Sequence, residues 1–307
     1  MHILMTRRAA LKTAVAAGAV ALLQPAGSLV ALAASGAASK LEWTYFQANE
    51  VGFSRTPVLL TGEKEAILID GGFTLSDGKA VADAIKAAGK RLTTIYVSCS
   101  DPDFYFSLRP VVEAFPDAKV LAAPATVAAI NANVQTKLDT WSPQLGDNGP
   151  KVLADVVIPE ASDLSSLSLE GNRIDIVTID GLKDRRYLHV PSLNAIFGGV
   201  LVYSGSHVWV ADEPTAEGRQ KWIEALEAMA ARKPDIVVPA HKGAGGPDGI
   251  EAILFTRDYL IAFNAAEAKA KDSAELIAAM TKLYPDFTDV SSLELGAKVA
   301  KGEMKWG

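Results

Sequence analysis

Four side chains with chemical reach lie at two places in the chain. Cys99, Asp101 and Asp103 alternate within Val97-Ser98-Cys99-Ser100-Asp101-Pro102-Asp103-Phe104-Tyr105-Phe106-Ser107, and His241 follows the apolar run Ile236–Ala240. A thiol and an imidazole within reach are the precondition for nucleophilic catalysis. The imidazole takes the proton and a carboxylate, Asp101 or Asp103, orients the ring. Carboxylate, imidazole and thiolate are also legitimate zinc ligands. A third use involves no reaction: Asp103 accepts backbone N–H bonds in its loop and His241 is a hydrogen-bonded cleft histidine. Cys99, His241 and Asp103 are therefore the candidate catalytic residues. Asp101, Asp103 and His241 are the candidate set for a single metal. Cys99 is the only cysteine, so no intramolecular disulfide can form.

Both places sit at the ends of expected strands. Pro57–Thr61 and Ala66–Asp70 read as a hairpin across Gly62-Glu63-Lys64-Glu65. Ser76 is the expected N-cap of a helix running to Ala88 and stopped by Gly89. Strand 94–98 follows, then a helix through Phe115-Pro116, a strand over Lys119–Ala123 and a helix over Thr126–Leu138. Trp141–Pro150 reads as a loop. Val152–Ile158, Arg173–Ile179, Arg186–Val190 and Ala195–Phe197 read as strands crowded into an antiparallel section. A helix is expected over Thr215–Arg232, a buried strand over Ile236–Ala240 delivering His241, and helix from Asp248 to Tyr284. The alternation places the chain in the α/β class.

On these motifs the chain resembles the metallo-β-lactamase-fold superfamily, over about residues 45–245. There the strand corresponding to 94–98 ends in Thr-His-x-His-x-Asp-His, often followed by Tyr-Phe-Gly. Ser98 takes the Thr position, Cys99 and Asp101 the first two His positions, Asp103 keeps the Asp, and Phe104 replaces the third His. Tyr105 and Phe106 match the continuation. The family's Gly-His becomes Gly181-Leu182, its Gly-Asp becomes Gly198-Gly199, and its Pro-Gly-His becomes Pro239-Ala240-His241. The resemblance implies an αβ/βα four-layer sandwich. It also implies a chemistry, hydrolysis of esters, lactones, thioesters or lactams by a metal-bound hydroxide. Only Asp103 and His241 survive among the implied ligands, so the resemblance implies a degenerate di-metal site. No cofactor is expected, and a single zinc is possible. The binding cleft would draw on Asp101, Phe104, Tyr105, Leu182, Asp184, Gly199 and His207.

Two functions follow as expectations. One is the binding or transformation of a small molecule without a binuclear zinc centre. The other is a hydrolase of ester, lactone or lactam type using one metal or the Cys99–His241 pair. A purely structural partner is a third reading without positive support.

Thr6-Arg7-Arg8-Ala9-Ala10-Leu11-Lys12 resembles a twin-arginine export motif, followed by apolar Ala14–Leu23 and an Ala31-Leu32-Ala33 cleavage pattern. This implies a signal peptide over 1–33, a mature domain over 34–307, passage through the twin-arginine export machinery and a periplasmic or secreted location. An ordinary signal carrying two arginines is the alternative. Removing Arg7, Arg8 and Lys12 with that segment takes the net charge from −6 to −9. That balance argues against nucleic acid as a partner and leaves a small-molecule ligand or substrate. Asp180, Asp184, Arg185 and Arg186 read as solvated loop charge or as a cleft mouth able to bind a carboxylate. Trp209, Trp222 and His189 read as core residues.

Overall fold

Period-two alternation along the strands sorts the chain into layers. The computed structural model describes residues 38–306, so the expected leader over 1–33 lies outside the described residues. Strands β1 (Glu42–Tyr45), β2 (Val58–Thr61), β3 (Glu65–Ile69), β4 (Arg91–Val97), β5 (Lys119–Ala122) and β6 (Glu160–Ala161) form one sheet in that order. β1, β2 and β3 pair antiparallel, and β3 through β6 pair parallel. The later strands are β7 (Ser166–Leu169), β8 (Asn172–Thr178), β9 (Arg186–Val190), β10 (Ala195–Phe197), β11 (Tyr203–Ser204), β12 (Ile236–Val237) and β13 (His241–Lys242). The second sheet runs β12-β10-β9-β8-β7, and β11 and β13 make a separate parallel pair.

Alternate residues of each sheet feed two cores. Val58, Leu60, Ile67, Ile69 and Tyr96 of the first sheet join Leu167, Ile174, Leu188, Val190 and Phe197 of the second in one cluster between the sheets. The intervening residues Leu59, Leu68, Ile95 and Val97, with Tyr187 and Ile196 of the second sheet, belong to the other cluster, with the helices. The helices are α1 (Leu75–Ala88), α2 (Leu108–Ala114), α3 (Pro124–Leu145), α4 (Ala216–Ala231), α5 (Ile250–Glu267), α6 (Ser273–Leu283) and α7 (Val290–Ala300). Each fully buried Leu, Ile or Val contributes about 1.5–3 kcal/mol, so a face assigned by alternation is strongly held. The result is the α/β four-layer sandwich expected from the sequence.

Several local expectations are corrected. The cap of α1 is Thr74, not Ser76. Thr74 accepts the Asp77 N–H at 3.1 Å and Asp77 accepts the Thr74 N–H at 3.3 Å, a reciprocal box. Ser76 instead gives its N–H to Asn148 Oδ1 at 2.8 Å. Helix α3 does not stop at Leu138 but continues to Leu145, with Pro143 inside its last turn. Trp141 holds that extension by packing edge-on against Phe53 and Phe73. Val152–Ile158 is not a strand. The Asp155 carboxylate accepts the N–H groups of Lys151 and Val152 at 2.9 and 3.1 Å, which closes a turn instead. Two elements lie beyond those expected: β7, with its Ser-Leu-Ser-Leu alternation, and the C-terminal helix α7. His189 is half-buried beside Asp175 rather than in the core, with 3.6 Å between Nδ1 and Oδ2.

Candidate functional site

Three strand ends meet under one cleft. Asp70, just past β3, is buried at a left-handed φ of 62°. Its carboxylate accepts the Ser98 N–H at 2.7 Å and the Ser98 hydroxyl at 2.8 Å. The Ser98 oxygen in turn accepts the Gly199 N–H at 2.7 Å. The turns after β3, β4 and β10 are thereby tied together. Burial pushes the Asp70 carboxyl up to about 6, against the opposing pull of Arg55 and Ser98.

Arg55 enters this floor from the loop between β1 and β2. Phe53 and Ser54 before it take left-handed φ of 54° and 50°, a costly state for residues with a Cβ. That turn sends Arg55 inward until it is 1% exposed. Its Nη2 lies 3.7 Å from Asp70 Oδ2, and its Nε lies 3.4 Å from Asp103 Oδ2. Nε also donates to the Asp103 carbonyl at 3.1 Å and Nη1 to the Ala240 carbonyl at 2.6 Å. The guanidinium carbon sits 3.4 Å from the Phe104 ring centroid. Arginine keeps its proton in proteins, so this is a permanent cation on the cleft floor.

His241, on β13, stands next to it. Its Nδ1 is 2.8 Å from the Phe53 carbonyl, which can only accept, so Nδ1 carries the proton. Nε2 therefore presents a lone pair, 3.5 Å from Asp103 Oδ2. Burial, then the Arg55 charge, lowers the His241 pKa to about 3, which leaves the ring neutral. Tyr203 stacks on it at 4.7 Å and 9°. Asp103 Oδ2 is buried with no hydrogen-bond partner, and burial raises the pKa of this carboxyl. A proton on that oxygen would satisfy both it and Nε2.

The cleft wall is a second charged group. The Cys99 thiol donates to Asp101 Oδ2 at 3.1 Å, and Arg185 Nη1 is 3.7 Å from the sulfur. Burial, then the Asp101 charge, pushes the thiol well above its usual range, so it is not a thiolate at neutral pH. Its partners are Asp101 and Arg185 rather than His241. Burial, then Asp212, pushes Asp101 up to about 6. Asp212 accepts from Arg185 Nη2 at 3.2 Å, Trp209 Nε1 at 3.1 Å and Trp306 Nε1 at 2.9 Å. Between floor and wall lies a cavity of about 60 Å³. Phe53, Trp141, Tyr203, Trp209 and Trp306 supply its aromatic surface, and Asp101, Asp103, Asp212 and Asp289 its carboxylates.

A family model described as the metallo-beta-lactamase superfamily matches residues 52–241, more than half of the chain. The chain belongs to the metallo-beta-lactamase superfamily. A crystal structure of VMB-1 aligns with a TM-score of 0.50 at 16% identity, covering 76% of this chain and 95% of that one. A structure of TMB-1 aligns with a TM-score of 0.46 at 14% identity, covering 72% of this chain and 92% of that one. No curated protein matches the chain.

At the positions that the sequence resemblance assigns to ligands, the residues present do not fit a two-metal centre. Asp103 and His241 face one another, but the remaining positions offer no donor set. Phe104 lies flat under Arg55. Leu182 is buried in the apolar core. Gly199 has a φ of 73°, and a Cβ there would lie 2.0 Å from the Arg186 carbonyl oxygen. No carboxylate can be carried at that position without moving the backbone. Among the described residues no group of three or more His, Cys, Asp or Glu is arranged to hold a metal ion, the trio Asp101, Asp103 and His241 included. A catalytic zinc takes three protein ligands and keeps one open position.

Other expected cleft residues divide. Asp101 and Asp103 line the cavity. Tyr105 is buried in the core beneath it. Asp184 and Arg186 are not solvated loop charge. Asp184 Oδ1 accepts from Arg186 Nη1 and Thr126 Oγ1, both at 2.8 Å, and Arg186 reaches the Ser98 carbonyl at 3.2 Å. They brace the Ser98 turn from below. Arg185 likewise turns inward. His207 lies apart, with its Nδ1 3.0 Å from the Tyr259 hydroxyl and its ring between Tyr259 and Phe287. Trp222 is core, as expected, whereas Trp209 faces the cavity. Arg55, Asp212 and Trp306 were missed. The signal for Arg55 is a lone positive charge three residues before the mostly apolar strand Val58–Thr61, in a loop without other pattern.

Proposed function

We propose that this protein is an exported superfamily member that binds or transforms a small organic molecule in its cleft without a binuclear metal centre. The degenerate site is the core of the proposal, and Arg55 is the observation that carries it. A metal in this fold needs the Asp103 carboxylate, and here a guanidinium already compensates that carboxylate and Asp70. A divalent ion beside Asp103 would face a like charge that cannot be titrated away. The His241 Nε2 lone pair faces Asp103, but a pKa lowered to about 3 makes it a weak general base at neutral pH, which favours binding over transformation. Cys99 as nucleophile is disfavoured by its bond to Asp101 and its raised pKa. The Arg7-Arg8 motif supports export through the twin-arginine machinery to the periplasm or beyond.

The test uses the mature protein, with bound metal determined by elemental analysis. An ester, a lactone and a β-lactam panel is assayed with and without chelator. The proposal expects metal far below one equivalent and no chelator-sensitive turnover. Stoichiometric zinc with chelator-sensitive turnover would overturn it. Export is tested by changing Arg7 and Arg8 to lysine, which keeps the charge. Retention of the precursor in the cytoplasm supports the twin-arginine route, and unchanged export contradicts it.

A further inference from the structure

Aromatic faces and an excess of carboxylates over cations meet in the same cavity. Three of its lining carboxylates, Asp101, Asp103 and Asp212, lie near a buried guanidinium. Asp70 and Asp103 share Arg55, and Asp101 and Asp212 share Arg185. Asp289 adds a further carboxylate to the lining. Among the described residues lining the cavity, Lys137 is the one lysine or arginine. Its ammonium lies 4.9 Å from the centroid of the Trp306 ring, inside the reach of about 6 Å at which a cation is attracted to an indole face. Trp306 meets Trp209 at 5.1 Å and 71°, so the two rings form a corner. Both indole N–H groups of that corner are held by Asp212. Phe53 and Trp141 form a second corner at 5.4 Å and 80°. Asp103, only 7% exposed, borders the same space with its Oδ2 unpartnered.

Each class of ligand meets this lining differently. An anion would face four lining carboxylates, with Arg55 and Arg185 engaged behind them and only Lys137 offering a positive charge from the lining itself. A neutral apolar ligand would add no partner for Asp103 Oδ2, which has an ion-pair contact with Arg55 but no hydrogen bond. A cation gains from both surfaces at once. The protein's own lysine already rests on Trp306 in the manner such a ligand would. The volume of about 60 Å³ admits a few waters or one methylated ammonium group, not a bulky scaffold. We infer that the cleft binds a small organic ammonium ion, its charged head seated in the Trp209–Trp306 corner against Asp212 and facing Asp103, with the Lys137 ammonium displaced. This inference rests on the reading of the cleft as a small-molecule site and names the ligand class for it.

The experiment is calorimetric titration of the mature chain with three probes of equal shape. Choline carries the cation, 3,3-dimethylbutan-1-ol is its neutral isostere, and 3,3-dimethylbutyrate carries the opposite charge. Choline should bind at least about tenfold more tightly than the alcohol, and the carboxylate should not bind. Trp306→Ala should weaken choline binding about threefold to thirtyfold, the range one cation–π contact supplies. Lys137→Met should tighten it, because the resident competitor is removed. The Lys137 variant also guards against a folding defect in the Trp306 variant, since a gain of binding cannot come from unfolding. Equal binding of choline and the alcohol, or binding of the carboxylate alone, would overturn the ammonium assignment and leave the small-molecule reading standing. No binding of any probe would overturn the ammonium assignment, and stoichiometric zinc in the protein besides would overturn the small-molecule reading as well.

Discussion

The floor and the wall of the cleft solve the same electrostatic problem with different freedom. Each sets two carboxylates around one arginine. On the floor, Arg55 is 1% exposed, capped by the Phe104 face and bonded to two backbone carbonyls. On the wall, Arg185 is 9% exposed and pairs with Asp212, which two tryptophans also hold and which borders the cavity. The floor's cation is locked into the fold. The wall's charge faces whatever enters. The floor's positive charge is a covalent part of the chain, while the wall's Asp212 borders the cavity.

Breaking the floor should cost most. Arg55→Leu leaves Asp70 and Asp103 buried without a counter-charge, with an expected loss of about 3–5 kcal/mol in urea unfolding at pH 7. Stability should also fall with pH in the wild type. Asp70 is raised from 3.8 to about 6 in the fold, so the native state holds its proton more tightly than the unfolded chain. Its contribution is fully present below 3.8 and is lost as pH rises through about 6. The Arg55→Leu deficit should therefore shrink when unfolding is repeated near pH 5, and a deficit independent of pH would contradict the pairing.

Gly199→Asp would put a carboxylate where the family's Gly-Asp motif carries one, on the resemblance drawn from the sequence. It should lose about 2–4 kcal/mol, because its Cβ meets the Arg186 carbonyl and its φ is left-handed, and it should not acquire metal in elemental analysis. Breaking the wall should cost less. Arg185→Leu is expected to lose about 1–3 kcal/mol, since Asp212 keeps its two indole donors. The smallest effect is Cys99→Ala, at about 1–2 kcal/mol, with any turnover unchanged. The native thiol should react with a disulfide reagent far more slowly than the unfolded thiol. Fast native labelling would show a thiolate and restore the nucleophile.

The same contrast explains what the sequence makes legible. Layer order is readable because residues such as Leu59 and Leu60 alternate between two cores, and a slip of one would expose both sets. Asp103 and His241 are readable because they sit at strand ends within motifs. Arg55 is not, because its position depends on two left-handed residues, Phe53 and Ser54, that have no glycine to announce them. Trp306 is not, because it reaches Asp212 across 94 residues and only the fold brings the two together. Thr74 and Ser76 are both good caps by type, and the choice between them rests on Asn148, which takes Ser76 away. Val152–Ile158 has the composition of a strand, but one carboxylate, Asp155, claims its backbone first.

The most direct measurement of the built-in cation is a crystal structure of the mature protein grown in millimolar zinc, with anomalous data collected at the zinc edge. The expected result is density for the Arg55 guanidinium between Asp70 and Asp103, with no anomalous peak between Asp103 Oδ2 and His241 Nε2. A peak at about 2.0–2.2 Å from both of those atoms, with Arg55 turned out of the floor, would contradict it.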